Sequence, residues 1–177
     1  SILLFEIFNE INELFYSHKP EILLSMINAS AVLDKNSEKA IVSFFNLNNY
    51  DRSDGLINIQ RDIDEVREEL NNELKHIRQI LKRPHLMFKD EVDYLVEVRN
   101  TQIKGVPDDW IKINCTKMVS RFLTPGCSKL VDKLNHHKEL LVIEAEAEYQ
   151  HFLSLIKEEY VPFKRVIQKL AEYDCIL

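Results

Sequence analysis

Residues 57–82 read INIQRDIDEVREELNNELKHIRQILK, and their apolar side chains fall at Ile59, Ile63, Val66, Leu70, Leu74, Ile77 and Leu81. The steps are 4, 3, 4, 4, 3 and 4, which is the heptad seam of a helix that meets a partner along one narrow stripe. Asp62, Glu65, Arg67, Glu68, Glu69, Lys75 and Arg78 fill the positions between and face water. Such a helix runs about 40 Å at about 1.5 Å per residue, and Pro84 supplies its stop.

The C-terminal third repeats the pattern. Leu130, Leu134, Leu141, Ala145, Tyr149, Phe152, Ile156, Tyr160, Phe163, Ile167 and Leu170 are separated by 3, 4 or 7. Pro125-Gly126 marks the start of a second helix, expected over 128–173 and about 70 Å long. Pro162 removes a backbone donor inside it, so a bend is expected near Tyr160. Two seamed helices bracketing a short segment imply an antiparallel pair with that segment at its far tip.

Between the helices the period drops to 2. Val92, Tyr94, Val96 and Val98 alternate with Asp93, Leu95, Glu97 and Arg99, a strand signature. Residues 110–114 and 117–122 are further strands, set off by the turn-prone run Lys104-Gly105-Val106-Pro107-Asp108-Asp109. The fold class is therefore mainly α with a small antiparallel β part. Toward the N-terminus, Phe5, Phe8, Ile11 or Asn12, and Phe15 mark a first helix, and Pro20-Glu21 starts a second. Ser37 with Glu38 caps a third through Phe45, and 46–55 is a polar loop. The segments are 1–55, helical; 56–84, the ascending helix; 85–125, β-rich; and 126–177, the descending helix.

Only three glycines, Gly55, Gly105 and Gly126, occur in 177 residues, and each falls where a periodic segment turns or stops. No apolar stretch approaches the length of about 20 residues that a membrane span needs, which reads as a soluble protein. The chain opens at Ser1 without an initiator methionine and reads as a piece excised from something longer. Cys115, Cys127 and Cys175 are too few and too scattered for a disulfide framework or a zinc site, which suits a reducing compartment.

The net charge of -6 argues against nucleic-acid binding until its distribution is seen. Residues 99–138 hold eight basic and three acidic side chains, a balance of +5, so the remainder carries -6 minus 5, or -11. A basic segment on an acidic support is the footprint of a polyanion-binding tip. If 117–122 is a strand, Lys117 and Arg121 share a face about 13 Å apart at about 3.3 Å per residue, enough to reach two phosphates of a duplex strand. Lys112, Lys104 and Lys129 extend the patch. The same charges also suit an ordinary solvated sheet.

Catalytic constellations fail at each test. There is no G-x-x-x-x-G-K-[ST] or G-x-G-x-x-G run, so no phosphate nest for a nucleotide is encoded here. His136-His137 with Glu139 point in different directions on a helix and suit solvated side chains better than metal ligands. Asp90-Glu91-Asp93 reads as an exposed loop and strand edge in preference to a cation site. No catalytic, cofactor-binding or metal residue is assigned.

Particular residues say more than their periods. Asp109-Trp110-Ile111-Lys112 followed by Thr116-Lys117-Met118-Val119-Ser120-Arg121-Phe122-Leu123-Thr124-Pro125 resembles the clamp of MutS-family mismatch-repair proteins. The closest form is that of the third MutS homologue, the large subunit of eukaryotic MutSβ; bacterial members share a looser K-x-x-x-R-[YF]-x-x-P core. Ile77 to Pro84 resembles the end of the ascending lever helix of that subfamily, and Leu170 to Leu177 the point where the descending helix rejoins the body. The resemblance covers 59–177.

The resemblance implies a long antiparallel helical lever capped by a small β-sheet clamp. The clamp would close on duplex DNA through non-specific backbone contacts, with Lys117 and Arg121 at the motif's basic positions and Phe122 and Pro125 seating the strand against the helix. It implies a heterodimer with the second MutS homologue that recognises mispaired insertion and deletion loops in double-stranded DNA. It also implies nuclear localisation, and ATP and Mg in an intact protein whose nucleotide-binding domain lies outside this segment. The alternative is a helical coiled-coil-type protein-interaction module with no DNA contact.

Overall fold

The computed structural model describes residues 2–18, 20–28, 43–90 and 92–176. They form α1 (Ile2–His18), α2 (Pro20–Ser25), α3 (Asp54–Ile80), β1 (Val96–Arg99), a 3-10 helix (Asn100–Gly105), β2 (Ile111–Cys115), β3 (Val119–Leu123), α4 (Pro125–Glu158) and α5 (Tyr160–Ile176). The expected class, mainly α with a small antiparallel sheet, is the observed one. The third N-terminal helix, expected from Ser37 and Glu38, lies outside the described residues. Two compact units divide the chain: residues 58–141, and residues 1–57 with 142–177.

In the unit of residues 58–141, the middle of the α3 seam is buried as its spacing requires, and Ile59 and Leu81 at its ends are half-buried. Ile63, Val66, Leu70, Leu74 and Ile77 are all 5% exposed or less, and Leu134 of α4 is fully buried. The helices run antiparallel, since Glu69 bonds Lys133 at 3.1 Å while Glu73, one turn later in α3, reaches Gly126, seven residues earlier in α4. A Cβ at Gly126 would meet the Glu73 carboxylate, so glycine leaves the slot in which that anion sits beside the positive end of α4. Thr124 caps α4, its Oγ1 accepting from Cys127 N at 3.0 Å, and Pro125 presets the first turn. Cys127 is wholly buried, and burial pushes its thiol up to about 11.

The end of α3 is a Schellman turn. Lys82 takes the left-handed conformation (φ 54), Arg83 N bonds Arg78 O, and Lys82 N bonds Gln79 O. The first strand is shorter than the alternation predicts. Tyr94 also sits at positive φ (51), which interrupts the extended run from Val92, and β1 begins only at Val96. Just before, Asp90 Oδ1 accepts from Asp93 N (2.8 Å) and Val92 N (3.1 Å), and these bonds hold its carboxyl below the usual carboxylate range. This carboxylate closes a turn; Glu91 lies outside the described residues.

The sheet order is β1-β3-β2, antiparallel throughout. Val96 pairs with Phe122 and Val98 with Ser120, and all four are buried. Trp110 closes on Phe122 with ring centroids 6.5 Å apart. The opposite face carries the pairs Glu97 with Arg121 and Arg99 with Val119.

In the unit of residues 1–57 and 142–177, α1 packs along α5. Ile7, Ile11 and Val166 are buried, and Glu10 takes Arg165 (2.5 Å) and Lys169 (3.5 Å). The α1 face is not the one marked by its phenylalanines, for Phe5, Phe8 and Phe15 are exposed. The descending helix breaks at Glu159, between α4 and α5, because Pro162 sits in the first turn of a new helix where its missing donor costs nothing. The break resets the phase, so Ile167 and Leu170, expected on the seam, face out while Val166 faces in.

Phe44, Phe45, Tyr50, Tyr149 and Phe152 form an aromatic cluster in the same unit, with Phe45 stacked on Tyr50 at 4.5 Å. Beneath it Glu148, 4% exposed, accepts from the Tyr50 hydroxyl (2.5 Å) and from Arg52 Nε (2.8 Å) and Nη2 (2.9 Å). Burial alone would raise the Glu148 carboxyl. The Arg52 and Tyr50 hydrogen bonds and the Arg52 charge outweigh it and hold the group below its ordinary value. Burial, then the adjacent carboxylate, push the Tyr50 phenol well above its ordinary value.

Candidate nucleic-acid interface

The five basic residues singled out in the sequence occupy five settings. Lys104 is on the 3-10 helix, Lys112 on β2, Lys117 in the turn joining β2 to β3, Arg121 on β3, and Lys129 in the first turns of α4. Lys117 is not on a strand as expected, so it does not share the β3 face of Val119 and Arg121. Thr116 is the reason: its Oγ1 accepts from Met118 N (3.3 Å) and Val119 N (3.2 Å), closing a turn where the strand was expected to begin.

The two basic residues of the motif are used differently. Arg121 is largely covered, donating through Nε to Glu97 (3.0 Å) and through Nη1 to Asn114 (3.1 Å). Lys117 is exposed, and no acceptor among the described residues engages its ammonium. Lys112 pairs in register with Phe122, which puts it on the sheet face opposite Arg121. It remains exposed because β2 is the edge strand.

The turn does lie beside Arg99, a residue that sequence reasoning counted but did not select, while Lys104 sits further along the 3-10 helix that follows it. Arg99 ends β1 opposite Val119, two residues past Lys117, and leads directly into the 3-10 helix. Asn100, the first residue of that helix, bonds the turn through its side chain and backbone. Two exposed cations, Arg99 and Lys117, therefore flank a hairpin turn whose apex residue Met118 is 77% exposed, and exposed Lys104 follows on the adjoining 3-10 helix. Apposed basic side chains around an exposed turn can meet consecutive phosphates, and they carry no base-reading geometry.

Nothing here is arranged as a metal centre. Among the described residues no three His, Cys, Asp or Glu side chains come together, and the His136 and His137 rings lie 6.0 Å apart, tilted. No helix among them is long and apolar enough to cross a membrane.

The span that carries this turn is also the span of a known family. Residues 53–140 match the family model of MutS family domain IV. The chain belongs to the MutS family. It is 55% identical over 177 residues to the DNA mismatch repair protein MSH3 of Saccharomyces cerevisiae strain YJM789, an alignment covering all of this chain and 17% of the relative. It is 50% identical to that of Kluyveromyces lactis over 177 residues and 38% identical to that of Debaryomyces hansenii over 180, with the same two coverages. The chain thus spans about a sixth of the length of these curated MutS relatives. Domain IV of the family here comprises all of α3, the whole sheet and the first half of α4.

Proposed function

We propose that this chain is the lever and clamp portion of a DNA mismatch-repair protein, and that it holds duplex DNA by sequence-independent contacts to phosphates. The observation that carries the reading is the β2–β3 turn within the domain IV span, where Lys117 stands exposed beside Arg99 with no acceptor for its ammonium among the described residues. Lys112 and Lys129 add charge toward the other end of β3, and Arg121 contributes by fixing the sheet as much as by charge. The intact protein pairs with the second MutS homologue, recognises mispaired insertion and deletion loops, and acts in the nucleus. ATP and Mg are handled by a nucleotide-binding domain outside this segment.

A phosphate clamp requires counterion release, so the logarithm of affinity falls with the logarithm of salt by about 0.9 per phosphate contact. In the full-length protein, changing Lys104, Lys112 and Lys117 together to alanine is expected to flatten that slope by about 2.7. An unchanged slope would leave the DNA-holding reading without its contacts. A helical interaction module that never touches DNA is the second reading, favoured by exposed Phe5, Phe8, Ile167 and Leu170 on α1 and α5. It predicts that these lysines are dispensable for DNA affinity.

A further inference from the structure

We infer that Asn100 is a positioning residue for DNA contact, holding the turn of residues 116–118 so that Lys117 meets a phosphate on a backbone already fixed. The inference rests on the DNA-holding reading above. Asn100 Nδ2 donates to Thr116 O at 2.9 Å and to Lys117 O at 3.0 Å, and Asn100 N donates to Met118 O at 2.9 Å. One residue thereby takes three consecutive carbonyls. It is itself held, since Ser120 Oγ donates to Asn100 Oδ1 at 2.8 Å. From the other side Thr116 N donates to Val119 O at 2.7 Å, and Thr116 Oγ1 accepts from the amides of Met118 and Val119.

The arrangement has two consequences for an anion. The carbonyl oxygens of an exposed turn ordinarily point to water, where they repel an approaching phosphate. Here they point at Asn100, leaving the lysine ammonium as the group presented. The backbone is also ordered before binding, so association need order only the Lys117 side chain. Asn100 uses both amide hydrogens and one oxygen lone pair in doing this, and no other side chain in the turn could replace it.

The test measures binding of full-length protein to a duplex DNA oligonucleotide across a salt series. Lys117→Ala is expected to weaken binding about fivefold at about 0.15 M salt and to flatten the salt slope by about 0.9. Asn100→Ala is expected to weaken binding about two- to fourfold through a loosened turn. The Asn100→Ala/Lys117→Ala double variant should bind no more weakly than Lys117→Ala alone. A purely structural role for Asn100 gives additive losses or none, and either result overturns the inference while leaving the DNA-holding reading intact. Wild-type binding and slope in Lys117→Ala instead remove the contact itself, and the inference with it. Should Asn100→Ala lose its cooperative melt, Ser120→Ala, which releases only Asn100 Oδ1, decides by the same non-additivity with Lys117→Ala.

Discussion

The Tyr50–Arg52–Glu148 cluster and the 116–118 turn are both built from charged and polar side chains, and they spend them in opposite ways. In the cluster every group has an internal partner: a buried carboxylate accepts a phenol and a guanidinium fork. At the turn the hydrogen bonds go to the backbone, and the cations Arg99, Lys104 and Lys117 are left without acceptors among the described residues. Arg121 lies between the extremes, partly covered and paired with Glu97. Charge count alone is thus a poor guide to function; whether a charge is already neutralised by its own fold decides whether it is available to a ligand.

The largest expected effect is at the cluster. Glu148→Ala leaves the buried Tyr50 hydroxyl unsatisfied and removes the carboxylate that Arg52 hydrogen-bonds, so it should cost about 2–4 kcal/mol in denaturant melts. The figure stays below that of a fully buried pair because Arg52 is 56% exposed and can rehydrate. The pH dependence has a definite sign. The Glu148 carboxyl is held below its ordinary value, so its contribution is complete above about pH 4.3 and is lost as pH falls through the folded value. Tyr50 is raised, so its contribution is complete below about pH 10 and fades above it. Glu148→Gln should therefore flatten the acid limb of the stability profile. An acid limb identical to wild type would mean that this carboxylate is not neutralised in the fold, and the contrast with the turn would collapse.

Arg121→Ala should fall in the middle. It breaks a half-covered ion pair and the Asn114 hydrogen bond on a three-stranded sheet, worth about 1 kcal/mol in thermal or denaturant unfolding. Because its guanidinium is committed to Glu97, its effect on DNA salt slope should be smaller than that of Lys117→Ala. The reverse order would show that Glu97 releases Arg121 when phosphate arrives, and would move Arg121 from the internal class to the available one.

Much of the helical framework was legible, for Ile63, Val66, Leu70, Leu74 and Ile77 are buried where the seam steps put them, while Ile59 and Leu81 at its two ends are half-buried. The break near Tyr160 followed from Pro162 alone. The local failures in the β-rich part come from conformations that periodicity does not report. Thr116 closes a turn where alternation suggested strand, and Tyr94 at positive φ shortens β1 without any signal in its residue type. The buried cluster was missed because Tyr50 and Arg52 lie in what reads as a polar loop. Yet a signal existed, since Leu141, Ala145, Glu148 and Phe152 step by 4, 3 and 4, placing an acid on the seam itself. The seam was instead drawn through Tyr149, the more apolar neighbour. The role of Asn100 had no signal, because nothing in a sequence says that one asparagine will take three carbonyls sixteen to eighteen residues away.

The smallest expected effect on stability is the one that tests the turn most sharply. Lys117 contributes an exposed side chain to no hydrogen bond among the described residues, while its backbone carbonyl, which alanine retains, is what Asn100 holds. Lys117→Ala should therefore shift unfolding by less than about 0.5 kcal/mol. A larger loss would mean that the lysine is part of the fold's own charge balance, as Arg121 is. Unchanged stability combined with a flatter DNA salt slope would separate the two uses of charge within a single hairpin: Arg121 neutralised by the sheet, and Lys117, four residues earlier, kept free by a turn whose hydrogen bonds involve only its main chain.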